Sequence, residues 1–262
     1  MVYFCLMPQP HRPLNLKKSL GQHFLKDELV CQQIIDSLHE FSYTQLLEIG
    51  PGAGALTKFF EVEKGVDFKA VEIDREKIAY LKNKYPFLKD RIIESDFLKM
   101  EKPFTGPFTI IGNFPYNIST EILFRVLDWR ADVQHVTGMF QKEVAQRIAA
   151  SEGNKIYGVT SVLLQAFFIV EYLFEVSEKA FNPPPKVKSA VIRLTPRKDP
   201  PLVRTEKMFF LLVKTAFNQR RKTLRNAVRS LFSEEFIKDP LFNKRAEQLT
   251  IGQFAELTWK MK

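Results

Sequence analysis

The sequence predicts an α/β fold, a mostly parallel sheet covered by helices, with a small helical domain after it. Three observations predict this. Short β-type runs alternate with helical patterns, one such run leads straight into a glycine-rich loop, and the final third reads as helical and basic beyond a proline-marked boundary. With 262 residues and 45% hydrophobic content, the chain can bury one large core and carry a small appendage.

Taken in order, Val30, Ile34, Ile35 and Leu38 recur at helical spacing and predict a first amphipathic helix. The strand-like LLEI ending at Ile49 then runs into glycines. Further β-type runs follow at FKAVEI (68–73), RIIES (91–95), FTIIGN (108–113) and VQHVTGMF (133–140), with helical stretches such as REKIAYLKNKY between them. FFIVEYLFEV and VKSAVIRL, joined by FNPPPK, read as antiparallel strands that finish the sheet. Pro196, Pro200 and Pro201 mark a linker, and EKMFFLLVKTAFNQRRKTLRNAVRSLF beyond it reads as helical, so the predicted division is 1–195 and 196–262.

The formal charge of +9 is uneven. Residues 1–195 hold 24 Lys/Arg against 23 Asp/Glu, whereas residues 196–262 hold 15 against 7. A basic C-terminal third suggests a polyanionic partner, with nucleic-acid phosphate the usual candidate. Cys5 and Cys31 form no CxxC pair, and His11, His23, His39 and His135 lack metal-ligand spacing, so no metal is expected. No apolar run approaches the roughly 20 residues that span a bilayer, and the opening MVYFCLMPQPHRP lacks the pattern of a secretory leader. The expectation is a cytoplasmic protein without membrane attachment.

In Glu48-Ile49-Gly50-Pro51-Gly52-Ala53-Gly54-Ala55, glycines after a strand allow a sharp turn and close approach to a ligand. The loop also satisfies GxGxx(G/A), so NAD competes with S-adenosylmethionine here. Glu72 closes the next strand, where a carboxylate can accept from both ribose hydroxyls of an adenosine ligand. Asp96 can accept from the adenine amine, with Phe97 or a neighbour along the ring. A surface acid at Glu72 and a helix N-cap at Asp96 are the competing readings.

Asn113-Phe114-Pro115-Tyr116 decides for methyl transfer over hydride transfer. The amine of adenine is a weak nucleophile because its lone pair is delocalised, so a site must hold it pyramidal and in line with the methyl group. The Asn113 side-chain oxygen and a main-chain carbonyl near Phe114 can accept its two N–H bonds, and Tyr116 can stack on the base. Positive charge developing on nitrogen is then stabilised by fixed acceptors, without metal or strong base. The base must be flipped or already exposed, which calls for a second stacking face. Phe181, beside rigid prolines, is the candidate, with a core role the alternative. Arg220, Arg221, Lys222, Arg225 and Arg229 fit phosphate contact, with Arg221, Arg225 and Arg229 spaced to share a helix face; a solvated surface is the alternative. Lys17 and Lys18 extend the same basic character.

These motifs resemble the ribosomal RNA adenine dimethyltransferases, and the likeness covers nearly the whole chain. It rests on Lys18 to Leu25, Leu47 to Thr57, Val71 to Asp74, Ser95-Asp96, Gly112 to Ser119, Gln141 to Val144, Phe181 to Leu194, and Ala216 to Asn226. The resemblance implies a Rossmann-like class I S-adenosylmethionine-dependent methyltransferase domain and a helical C-terminal rRNA-binding domain. It implies cofactor contacts from His23, Leu25, Gly50, Glu72, Asp96 and Asn113, and catalysis at Asn113, Pro115, Tyr116 and Phe181. The implied reaction is dimethylation of the N6 amines of two adjacent adenines near the 3′ end of 16S rRNA, in the small ribosomal subunit or its assembly intermediate, by a monomer. FNQRRKT favours this over dimethylation of large-subunit rRNA. His23 stands where many relatives carry Asn, and Phe114 where Leu is commoner; His23 keeps a hydrogen-bonding nitrogen and Phe114 an apolar side chain.

Overall fold

The computed structural model describes residues 23–62 and 65–262. Cys5, His11, Lys17, Lys18 and most of the Lys18-to-Leu25 motif lie outside the described residues.

A short strand β1 (Phe24–Leu25) leads into α1 (Glu28–His39). Asp27 caps this helix, its carboxylate accepting from the Leu29 and Val30 amides at 3.0 and 3.3 Å, and the expected face is buried through Ile34, Ile35 and Leu38. The first half continues with β2 (Gln45–Ile49), β3 (Asp67–Glu72), α2 (Arg75–Lys84), β4 (Ile92–Glu94), β5 (Phe108–Asn113), α3 (Ser119–Asp128) and β6 (Val133–Gln141). Then come α4 (Lys142–Ala149), α5 (Val159–Phe167), β7 (Phe168–Val176), β8 (Phe181–Asn182) and β9 (Ser189–Pro196).

Seven strands form one sheet in the order β4-β3-β2-β5-β6-β9-β7. The β2–β3, β3–β4, β2–β5 and β5–β6 pairs are parallel, whereas β9 pairs antiparallel with both β6 and β7. Strand order reverses at β2, which has β3 on one side and β5 on the other. In an open α/β sheet this switch point leaves a crevice at the carboxyl ends of the strands. A separate two-stranded ribbon pairs Leu25 of β1 with Phe181 of β8 and Phe24 with Asn182, tying the N-terminal arm to the proline loop.

Beyond the linker, the basic stretch is not one helix. It divides into α6 (Glu206–Asn218), the single turn α7 (Leu224–Ala227) and a 3-10 turn at Arg229–Leu231, and the chain closes with α8 (Ile251–Thr258). The break at residues 219–223 has a tertiary cause. The Leu224 amide donates to the Lys244 carbonyl at 2.7 Å and the Leu224 side chain is fully buried, which draws the chain off the α6 axis. The C-terminal helices share the core of the sheet layer: Phe167 meets Phe209 and Phe210 at 6.4 and 6.3 Å, and Arg130 pairs with Glu206.

Candidate active site

Three strand ends meet at the switch point. The loop after β2 is tied to β3 by the Gly50 amide, which donates to the Val71 carbonyl at 3.0 Å. Gly50 and Gly52 have φ of +67° and +61°, left-handed values at which a side chain is strained. A Cβ on Gly52 would also lie 3.4 Å from the Phe24 ring, so the arm crosses close above the loop. The loop then enters a 3-10 turn at Thr57–Phe60. Its Thr57 hydroxyl donates to Glu48 at 2.7 Å, fastening the turn to β2.

His23, Leu25, Gly50, Glu72, Asn113, Pro115 and Tyr116 line one cavity. Glu48, Phe24 and Lys77 join them there, and the sequence did not single these out. Glu48 is 2% exposed, and burial pushes its carboxyl up to about 8, against the hydrogen bond from Thr57. Glu72 is also buried, with one carboxylate oxygen accepting from the Ile73 and Asp74 amides at 2.9 and 3.0 Å. Its other oxygen lies 3.6 Å from the Lys77 ammonium. Lys77 is 7% exposed and makes no hydrogen bond among the described residues, while the Phe24 ring lies 5.8 Å from its nitrogen. A desolvated ammonium with open donors beside a carboxylate suits a ligand rich in hydroxyl or carboxylate oxygens.

Asn113 is the last residue of β5, and its amide nitrogen donates to the His23 carbonyl at 3.3 Å. With the nitrogen so engaged, the Asn113 side-chain oxygen is the open acceptor, unbonded to any other described residue. His23 Nδ1 lies 2.8 Å from the Pro183 carbonyl, which can only accept, so Nδ1 carries the proton. The His23 ring sits 5.7 Å from that of Tyr116. The Tyr116 hydroxyl meets the buried Ser189 hydroxyl at 2.6 Å, and burial raises the phenol above its ordinary pKa, keeping it neutral.

Other expected residues fall elsewhere. Asp96 is not among the cavity-lining residues; its carboxylate accepts from the Leu98 amide at 3.0 Å and lies 3.6 Å from Lys99, in the turn that follows β4. Phe97 packs edge-on against Trp129 at 5.2 Å in the core. Phe181 is 1% exposed and packs beneath the arm, paired with Leu25, instead of offering a free stacking face. Burial of its large apolar ring outweighs projection into solvent.

The basic residues also divide. Arg220 donates to the Lys155 and Tyr157 carbonyls at 2.6 and 2.9 Å, and Arg225 to the Ile237 carbonyl at 2.9 Å. Arg229 pairs with Glu234 at 2.9 Å. Because the helix breaks, Arg221, Arg225 and Arg229 do not share one helical face. The Arg221 and Lys222 side chains are exposed and form no hydrogen bond or ion pair with other described residues. No group of His, Cys, Asp and Glu among the described residues could hold a metal ion, and no described helix is long and apolar enough to cross a membrane.

A family model described as Ribosomal RNA adenine dimethylase matches residues 14–260. The chain belongs to this family. Within the dimethylase family, it is 55% identical over 249 residues to "Ribosomal RNA small subunit methyltransferase A" of Cytophaga hutchinsonii, covering 94% of this chain and 96% of the relative. The protein of the same name from Parabacteroides distasonis is 53% identical, covering 94% of each. Among solved structures, a dimethyladenosine transferase from Plasmodium falciparum aligns with a TM-score of 0.76 at 25% identity, covering 90% of this chain and 96% of that one. The 23S rRNA methyltransferase ErmE shares the fold, with a TM-score of 0.67 at 22% identity, covering 89% and 99%. The fold is thus that of the class I S-adenosylmethionine-dependent methyltransferases.

Proposed function

We propose that this dimethylase transfers methyl groups from S-adenosylmethionine to the N6 amines of two adjacent adenines near the 3′ end of 16S rRNA. The observation that carries the reading is convergence: the glycine loop with Glu72 and the Asn113–Tyr116 segment line a single cavity beneath the arm. The cofactor supplies an electrophilic methyl group when bound. The cavity suits it, because left-handed glycines bring backbone close to a ligand and Lys77 and Glu72 offer a donor and an acceptor side by side.

The chain's own residues do the positioning. Asn113, anchored through its nitrogen to His23, offers its oxygen to one N–H of the target amine, and the Phe114 carbonyl accepts the other. These fixed acceptors stabilise positive charge as the nitrogen is methylated, and the proton leaves to water afterwards. Tyr116, held at its hydroxyl by Ser189, stacks on the extruded base. His23, Leu25 and Gly50 contribute to the cofactor side. Arg221 and Lys222 in residues 196–262 contact RNA phosphate, while Arg220 and Arg225 first hold the backbone that presents them. The substrate is a small ribosomal subunit or its assembly intermediate, and the enzyme works as a cytoplasmic monomer.

Incubation with labelled S-adenosylmethionine and undermethylated small subunits tests the proposal. Label at the two adjacent adenines supports it; an active preparation that labels large-subunit RNA alone overturns it.

A further inference from the structure

The Phe114 ring is buried against the sheet whose strand β5 leads into it. It is 1% exposed and lies over Gly112 and Gly138, which are register partners on β5 and β6, with Phe140 edge-on at 5.0 Å. A Cβ on Gly112 would fall 2.6 Å from Phe114 Cε1 and 2.7 Å from the Ile49 carbonyl oxygen. A Cβ on Gly138 would fall 2.4 Å from Phe114 Cε2 and 2.9 Å from Phe140 Cε2. Neither glycine has a positive φ, so what each supplies is space. Gly112 must stay small for the backbone of β2 as well as for the ring, whereas the atoms that crowd Gly138 belong to aromatic side chains.

From this we infer that Phe114 is a positioning residue for methyl transfer, and that Gly138 is its size partner: the ring, seated on a two-glycine floor, sets the acceptors on either side of it. The inference rests on the reaction proposed above. Phe114 follows Asn113 directly, and its amide donates to the Met139 carbonyl at 3.2 Å, next to Gly138. The ring therefore fixes the stretch of backbone that presents the Asn113 oxygen and the Phe114 carbonyl. An ordinary Cβ contact begins near 3.4 Å, so a methyl group at position 138, 2.4 Å from the ring, would drive it about 1 Å away. Misplacement of that size can cost about 100-fold in rate.

The test combines two damaging substitutions. Gly138→Ala is expected to lower kcat about 100-fold and Phe114→Leu about 10-fold, each with the affinity for S-adenosylhomocysteine within a factor of three, since the shift misplaces acceptors and not the cofactor loop. Phe114→Leu combined with Gly138→Ala should be more active than Gly138→Ala alone, because the smaller side chain frees the space the methyl group needs; recovery is partial, as Phe140 still lies 2.9 Å from that methyl. If Gly138→Ala alone does not fold, the double variant should return soluble, active protein. Unchanged kcat in Gly138→Ala, losses that simply multiply in the double variant, cofactor affinity that falls in step with kcat, or a double variant that stays insoluble would each overturn the inference. Wild-type protein that transfers no methyl group to small-subunit RNA would instead refute the underlying reaction.

Discussion

The Tyr116 hydroxyl and the Ser189 hydroxyl lie 2.6 Å apart, joining the catalytic tetrapeptide to the first residue of β9. In the proposed reaction this bond fixes the ring that stacks on the target base, so Ser189→Ala should lower kcat roughly 10-fold, the worth of a lost hydrogen bond of about 1.4 kcal/mol. Cofactor affinity should not change. Tyr116→Phe should match Ser189→Ala, and combining the two should add little, since both remove the same bond.

In the proposed reaction Asn113 supplies the acceptor that pulls the amine toward tetrahedral geometry. Asn113→Ala should abolish measurable transfer while titration calorimetry still detects S-adenosylhomocysteine. Turnover at the wild-type rate would refute this role.

Lys77→Met removes a buried cation 3.6 Å from Glu72 and keeps the length of the apolar stem. Thermal melting should show lower stability, because the buried Glu72 carboxylate keeps its two amide donors and loses its cation. Affinity for the cofactor should fall about 10-fold, or about 1.4 kcal/mol, with kcat retained.

The Glu48 carboxyl, raised from 4.5 to about 8 by burial, makes stability depend on pH. The folded state holds a proton that the unfolded state releases, so this stabilisation is complete below pH 4.5 and is lost as pH rises toward about 8. Glu48→Gln should remove that slope and melt at a higher temperature than wild type at pH 8, by an amount reflecting a few kcal/mol at most. Parallel melting curves across the range would contradict it.

Much of this was legible in the sequence because the signals are local. Alternating β-type runs fixed the strands, and the residues at their carboxyl ends, Gly50, Glu72 and Asn113, came with them. What was hidden is tertiary. Lys77 looks like one more cation on a polar helix until the turn from β3 into α2 sets it beside Glu72, and the contact of His23 with Pro183 spans 160 residues. Asp96 carries the signature of a ligand and of a cap alike, and its bond to the Leu98 amide engages one of its two carboxylate oxygens. The basic tail read as one helix because its break is imposed by the distant Lys244 carbonyl. Phe114 looked like a neutral exchange for Leu, yet the structure gives it two glycines as a floor.

Mass spectrometry of rRNA from cells with and without the gene tests the proposed methyl transfer at its target. N6,N6-dimethyladenosine at two adjacent positions near the 3′ end of 16S rRNA should disappear when the gene is lost and return with the wild-type gene but not with Asn113→Ala. Unaltered dimethyladenosine in 16S rRNA, with a modification lost from large-subunit RNA instead, would contradict it.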